Sequence, residues 1–289
     1  RRVYESGDKG ESWTEALGTL SRVWGNKHNG NVKCVGSGFI TAKIDNKDVM
    51  LVTLPVYSKK TQEENEKGVL HLWLTDNTHI VDIGPVSEND DDAAASALLY
   101  KSGDANDEKL IALYEKKKSG EQPSLGMVSV LLTAQLKRVK DVLTTWKEVD
   151  ERVSKLCPTS SAKEDESTAN RCSTTVKITD GLVGFLSGEF SDDTWKDEYL
   201  GVNATVTNKE GATVATENPD GVTFKGRGAW AEWPVGRQGD NQLYHFAKYN
   251  FTLLATVSID KVPKEGDTSI PLIGVKLNDS GNTVLLGLS

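Results

Sequence analysis

Histidines and clustered carboxylates are the residue types in this chain that could hold a metal ion. The acidic run Glu88–Asp92 offers oxygen ligands of the kind that Ca²⁺ prefers, but it lacks a glycine-turned loop of calcium-site spacing. The histidines show no zinc-site spacing: they are His28, His71, His79 and His245. We therefore predict no metal and no other cofactor, and we interpret the histidines as packing or surface residues and the acidic run as a solvated turn.

Aromatic and basic side chains could bind a sugar or an anion. Trp230 and Trp233 flank Glu232 in a predicted strand, and residues three apart in a strand face opposite sides of it. This placement favours core packing over stacking on a sugar. The short basic run Lys116–Lys118 is interpreted as a solvated strand end.

Residues 6–13, SGDKGESW, fit the pattern S-x-D-x-G-x-x-W, which is the Asp box of sialidases and related β-propellers. Ser6 begins the pattern, and Asp8 can accept hydrogen bonds from N–H groups of the turn. Gly10 can supply the positive φ of a tight hairpin. We expect Trp13 to pack between neighbouring sheets, so the box is predicted to be structural.

Cysteines and glycosylation sequons indicate an oxidising, secretory environment. Cys157 and Cys172 enclose a polar segment without strand pattern, which predicts a disulfide that contributes about 3 kcal/mol. Cys34 has no predicted disulfide partner, and we interpret it as an inert free thiol rather than as one half of an intermolecular disulfide. The sequons are at Asn203, Asn250 and Asn278.

The overall composition restricts the class of partner. The 289 residues carry a formal net charge of −8, which argues against nucleic acid and against an anionic membrane surface, because both require clustered Lys and Arg. No apolar run approaches the ~20 residues of a membrane span. Arg1 begins in mid-pattern without a signal peptide, so we expect the chain to start inside a longer protein.

One long helix is predicted over Ala134–Cys157, with Thr133 as its N-cap and Pro158 ending it. Its apolar residues step by three and four along one face: Leu136, Val139, Leu143, Trp146, Val149, Val153 and Leu156. We interpret the helix as a strut between two β-rich domains. The alternative is a helix that covers a single β domain.

Short alternating segments separated by turn residues occupy the rest of the chain, which predicts an all-β protein with four-stranded propeller blades. Residues 1–17 correspond to half a blade, 36–86 to one blade and 94–132 to three strands of another. A propeller does not close with fewer than about four blades. We therefore expect the chain to begin within a larger propeller and to end within a sandwich, since Thr283–Leu288 lacks a following strand.

Several segments together resemble the trypanosomal trans-sialidase superfamily. They are Ser6–Trp13, Ser21–Asn26, Leu70–Asn77, Thr145–Glu151, Gly181–Gly188, Ala229–Gly239 and Tyr244–Ile259. The resemblance implies a six-bladed sialidase propeller, a linking helix and a lectin-like, concanavalin-like jelly roll. The predicted domains are 1–133 for the C-terminal propeller blades, 134–157 for the helix, 158–172 for the disulfide-closed loop and 173–289 for a truncated jelly roll.

The resemblance also locates the catalytic positions. Family sialidases use a tyrosine nucleophile in a pattern like (A/G)-Y-S-S-V-L-Y-K, and here Ala94–Lys101 places Ala95 at that position. Tyr100 is five positions away, on the opposite face of a strand. Asn65 aligns with the acceptor-site tryptophan and Lys67 with an arginine that clamps the sialic acid carboxylate. We therefore predict no catalytic residues in this chain.

The resemblance thus implies an inactive surface glycoprotein. We expect an extracellular, cell-surface monomer that is attached to the membrane only through a lipid (GPI) anchor outside this chain, and that adheres to host-cell or matrix glycoproteins. The alternative is an active exo-α-sialidase or trans-sialidase, and a third possibility is a lectin without catalysis. Residue 95 favours the first of these.

Overall fold

The computed structural model describes residues 4–15, 36–57, 67–89, 91–103, 107–118, 124–156, 178–208, 214–225, 229–235, 251–261, 270–277 and 281–288. The chain divides into two compact units, Arg1–Phe246 and Ala247–Ser289. Within the described residues the secondary structure is β-strand with one helix, as predicted. No helix in these ranges is long and apolar enough to cross a membrane. The predicted domain boundaries remain a prediction.

The first unit begins with a short hairpin and a complete four-stranded sheet. The hairpin pairs β1 (Tyr4–Glu5) with β2 (Thr14–Glu15). The sheet has the order β3-β4-β5-β6, with strands β3 (Gly38–Ile44), β4 (Lys47–Tyr57), β5 (Gly68–Thr75) and β6 (Ile80–Pro85). Asp45 and Asn46 both have positive φ, 47° and 64°, as two-residue hairpin turns require. The predicted blade over 36–86 is therefore present.

A three-stranded antiparallel sheet follows, in the order β7-β8-β9. Its strands are β7 (Asp92–Lys101), β8 (Lys109–Lys118) and β9 (Ser124–Leu131). The two sheets meet where the Gly38 N–H donates to Ser96 Oγ at 3.2 Å and Thr53 Oγ1 lies 2.9 Å from the same oxygen. A Cβ on Gly38 would lie 2.7 Å from Thr53 Oγ1 and 2.8 Å from the Ala97 Cα. Only glycine therefore allows this close approach of the sheets.

Helix α1 (Thr133–Lys155) confirms the predicted helix and its apolar face. Six of the seven predicted positions are buried, as is Val142, whereas Leu156 is 61% exposed. The prediction of Thr133 as N-cap is wrong. Leu132 occupies that position without a side-chain cap, because β9 ends at Leu131 and a single residue separates strand from helix.

The helix packs against both the propeller-like sheets and the strands that follow. Its N-terminal half contacts β8 and β6, where Gln135 Nε2 donates to the Pro85 carbonyl at 2.8 Å. Its C-terminal half contacts the segment around Tyr199, and both sets belong to one hydrophobic core. This arrangement agrees with a helix packed between two β-rich parts.

The later strands form a second four-stranded sheet and two hairpins. The sheet has the order β10-β11-β12-β15, with β10 (Leu186–Ser191), β11 (Thr194–Asp197), β12 (Ala204–Asn208) and β15 (Ala229–Glu232). One hairpin is β13 (Val214–Asn218) with β14 (Gly221–Lys225). In the second unit, β16 (Ile270–Leu277) pairs with β17 (Gly281–Leu288).

Candidate functional site

Ala95 lies where β7 bulges. Ala93 pairs with Lys116 and Ser96 with Tyr114, so Ala94 and Ala95 together oppose one residue of β8. The Ser96 N–H donates to the Gly36 carbonyl at 3.2 Å, which holds the bulge against the preceding segment. Bulges redirect side chains and recur beside active sites. The half-buried side chain at this point is a methyl group, which cannot act as a nucleophile or as an acid or base.

Tyr100 lies further along β7, and its hydroxyl is engaged by a neighbouring carboxylate. The hydroxyl donates to Glu108 Oε1 at 2.5 Å, and the Lys140 ammonium pairs with the other oxygen of Glu108. Burial and the Glu108 carboxylate raise the pKa of Tyr100 to about 12. The phenol therefore remains protonated at neutral pH, the opposite of an activated nucleophile.

Glu108 is equally unsuited to act as a base for Tyr100. Burial acts to raise the pKa of Glu108, but hydrogen bonds from Lys140 and Tyr100 hold it below its ordinary value. Because Tyr100 also packs against the hydrophobic core, the three side chains tie β7 and β8 to the helix. Their geometry indicates a structural role.

Asn65 and Lys67 are the other positions that align with site residues of the family. Lys67 is exposed and directly precedes the strand. Asn65 lies outside the described residues. Both arginines in the described ranges, Arg138 and Arg152, are on the helix, where Arg152 pairs with Glu198.

The Asp box forms the predicted hydrogen-bonded turn. The Ser12 hydroxyl and N–H both donate to Asp8, the N–H at 2.8 Å, and with the Ser6 hydroxyl they lower the pKa of Asp8. The Gly10 N–H donates to Ser6 Oγ at 2.6 Å, and Gly10 has φ +100°. The Trp13 ring is 63% exposed among the described residues, and its packing between neighbouring sheets stays a prediction.

The acidic run is the solvated turn predicted only in part, since Glu88 is exposed but Asp91 is buried. Asp91 is 1% exposed, accepts the Tyr114 hydroxyl at 2.6 Å and pairs with Lys116. Asp92 pairs with Lys117 at 2.8 Å. Lys116 and Lys117 therefore pair with Asp91 and Asp92 across β7 and β8 while their side chains stay 36% and 42% exposed, which corrects the interpretation at Asp91 and agrees with a solvated end of β8.

Of the remaining residues that the sequence singled out, the structure describes some and leaves the others outside its described ranges. Asn203 is exposed, and its Oδ1 accepts the Asp197 N–H at 2.9 Å. The indole N–H of Trp233 donates to the Val202 carbonyl at 2.6 Å, which agrees with packing. The others lie outside the described residues: Cys34, Cys157, Cys172, Asn250 and Asn278.

Comparison with known families matches two separate parts of the chain. The family described as BNR repeat-like domain matches residues 1–115, and the trans-sialidase C-terminal domain matches residues 178–289. The chain belongs to the trans-sialidase superfamily. This membership confirms the resemblance in the sequence and accounts for propeller-like sheets followed by a further β-rich part.

Superfamily members with curated names and solved structures align along the whole chain. A sialidase of Trypanosoma cruzi is 34% identical over 290 residues, and sialidase 85-1.1 of the same organism is 35% identical over 295 residues. Each alignment covers 100% of this chain but only 23% and 34% of the respective relatives. The chain therefore spans a minor part of the length of these proteins.

Among solved structures, Trypanosoma rangeli sialidase is 40% identical, with a TM-score of 0.76. The same sialidase in complex with sialic acid is 39% identical, with a TM-score of 0.77. These alignments cover 99% of this chain and 42% and 41% of the respective structures.

Proposed function

We propose that this chain is part of a non-catalytic, sialidase-fold surface glycoprotein that adheres to host-cell or extracellular-matrix glycoproteins. The observation that carries the proposal is Ala95 in the segment Ala94–Lys101, at the position where the family pattern has tyrosine. In a retaining sialidase the tyrosine oxygen attacks the anomeric carbon while the glycosidic oxygen leaves with a proton from an acid. A methyl group has no lone pair for that attack.

The surroundings of Tyr100 support the loss of the nucleophile. Its hydroxyl donates a hydrogen bond to Glu108, and the pKa of Tyr100 is raised to about 12. Because Glu108 is itself paired with Lys140, it is a weak acceptor for that proton. Tyr100 therefore does not replace the missing phenol.

The aligned clamp position is a second departure from the family pattern. Lys67 offers one positive charge, whereas an arginine presents a planar pair of donors to a carboxylate. Its sequence neighbours Glu64 and Glu66 are acidic and would repel a sialic acid carboxylate. Both differences lower the affinity for the substrate of an active sialidase.

The second candidate is an active exo-α-sialidase or trans-sialidase. Its support is that the T. cruzi relatives are named sialidases and that a solved relative is a T. rangeli sialidase in complex with sialic acid. If this alternative holds, another group must form the bond to the anomeric carbon.

A fluorogenic sialoside assay on the full-length protein separates the two candidates. We expect no turnover by the native protein or by Tyr100→Phe, and we expect Ala95→Tyr to gain activity only if the rest of the site survives. Turnover by the native protein would refute the proposal, and its persistence in Tyr100→Phe would exclude Tyr100 as the nucleophile.

Adhesion needs a separate measurement. The full-length glycoprotein should bind immobilised host-cell or matrix glycoproteins. Binding that is unchanged after enzymatic removal of sialic acid would indicate protein-directed adhesion, and binding lost after that treatment would indicate a lectin. Absence of binding to either preparation would contradict the adhesion role.

A further inference from the structure

The connection between β11 and β12, residues 197–203, links the hydrophobic core to an exposed side-chain amide. Tyr199 in this connection is 1% exposed, and its hydroxyl donates to Asp150 of the helix at 2.6 Å. Asn203, the last residue before β12, is exposed. We call residues 197–203 the amide loop.

The amide loop is ordered around the carboxylate of Asp197, which is 1% exposed. Oδ1 accepts the N–H groups of Phe185 and Tyr199, at 2.8 and 3.3 Å. Oδ2 accepts the N–H of Gly201 at 3.0 Å. The N–H of Asp197 itself donates to Asn203 Oδ1 at 2.9 Å, so a side-chain hydrogen bond joins the two ends of the loop.

This last hydrogen bond fixes the orientation of the Asn203 amide. A backbone N–H is a donor, so the atom of the amide that faces it must be the carbonyl oxygen, which is an acceptor. The other atom, Nδ2, takes no part in that hydrogen bond. Because Asn203 is exposed, Nδ2 is the part of the amide that remains available at the surface.

Asn203 also begins the sequon Asn203-Ala204-Thr205. Exposure alternates along this stretch. Val202, Ala204 and Val206 are 6%, 0% and 3% exposed, whereas Asn203 and Thr205 are both exposed. The asparagine and the threonine that define the sequon therefore share the outer face of the sheet, and a group attached to Asn203 does not compete with the core.

We propose that Asn203 carries an N-linked glycan on Nδ2 while its Oδ1 closes the amide loop. In glycosylation, an oligosaccharide is transferred from a lipid pyrophosphate donor. The bond between C1 of its first sugar and the pyrophosphate oxygen breaks, C1 bonds to Nδ2, Nδ2 loses one proton, and the lipid pyrophosphate is released. The substituted amide keeps Oδ1 as an acceptor, so the hydrogen bond from Asp197 survives the modification.

The two roles of Asn203 can be separated by substitution. Asn203→Ala removes the glycan and the hydrogen bond together. Thr205→Val destroys the sequon but leaves Asn203 in place, and valine is β-branched like threonine and suits a strand. Thr205→Ser is the matched control, because serine preserves the sequon.

Glycopeptide mass spectrometry tests the modification. The full-length protein is secreted from a eukaryotic host cell and treated with peptide N-glycosidase in ¹⁸O-water, which labels each formerly glycosylated asparagine as aspartate. We expect the label at position 203 in the native protein and in Thr205→Ser, and its loss in Thr205→Val. An unlabelled Asn203 in the native protein overturns the assignment.

Urea unfolding tests the hydrogen bond in the absence of any glycan. The full-length protein is produced in a host that does not glycosylate it. Asn203→Ala leaves the Asp197 N–H unpaired, which should shift the unfolding equilibrium by roughly tenfold or more. Thr205→Val should stay within about threefold of the native protein. Equal shifts in the two variants would overturn the structural role of Asn203.

The inference rests on the proposed surface glycoprotein, since glycosylation requires entry into the secretory pathway. Its readouts are nevertheless independent of sialoside turnover and of adhesion. An unmodified Asn203 in a protein that neither cleaves a sialoside nor fails to adhere refutes the glycan alone. Turnover by a protein with a labelled Asn203 refutes the non-catalytic function alone.

Discussion

Replacement of Trp146 by phenylalanine should destabilise the first unit by about 2–5 kcal/mol. Trp146 is fully buried, at 0% exposure, and its indole N–H donates to the Tyr199 carbonyl. Loss of the donor leaves a buried carbonyl unpaired, which costs about 1–3 kcal/mol. The smaller ring leaves a cavity at about 24 cal/mol per Å³, together with lost burial, which adds roughly 1–2 kcal/mol.

Urea unfolding followed by far-UV circular dichroism measures this change in the free energy of unfolding. Trp13→Phe is the matched control, because the Trp13 indole also donates to a carbonyl but its ring is 63% exposed. We expect the control to cost less than about 1 kcal/mol. A Trp146→Phe variant as stable as Trp13→Phe would refute the assignment of Trp146 to the core.

Three further predictions concern a carboxylate, a glycine and the disulfide predicted from the sequence. Glu108→Gln should reduce the free energy of unfolding by about 1–3 kcal/mol at neutral pH; because the pKa of Glu108 is lowered in the folded state, this stabilisation disappears as pH falls, and the two proteins should converge in acid urea titrations. Gly38→Ala should cost about 1–3 kcal/mol by thermal unfolding, whereas Gly7→Ala, with nothing within 4 Å of its Cβ, should stay within about 0.5 kcal/mol. Non-reducing peptide mapping of the full-length protein should find Cys157 linked to Cys172; two free thiols there would contradict the predicted disulfide.

Features that depend on neighbouring residues were predictable from the sequence. The helix over Thr133–Lys155 follows from apolar residues at helical spacing, and the Asp8 turn follows from a four-position pattern. The hairpin at Asp45 and Asn46 follows from residues that tolerate positive φ. Each of these structures is determined within a few residues of the chain.

Features that depend on residues distant in the chain were not predictable from the sequence. Nothing in the sequence around Asp91 indicates that Tyr114 and Lys116 of the next strand engage its carboxylate, so the acidic run was expected to be solvated. The contact of His79 with Leu182 joins residues 103 positions apart. A pattern search within either segment cannot pair two residues that only the tertiary fold brings together.

The bulge at Ala94 and Ala95 was also invisible to alternation alone, and it has a consequence for the length of β7. Pairing from Ser96 to Lys101 is regular, and pairing before Ala94 resumes at Ala93. Removal of a single alanine codon would leave a strand that matches its neighbour residue for residue, without displacing anything downstream. We therefore expect deletion of Ala94 or Ala95 to leave the pairing of β7 with β8 intact on both sides.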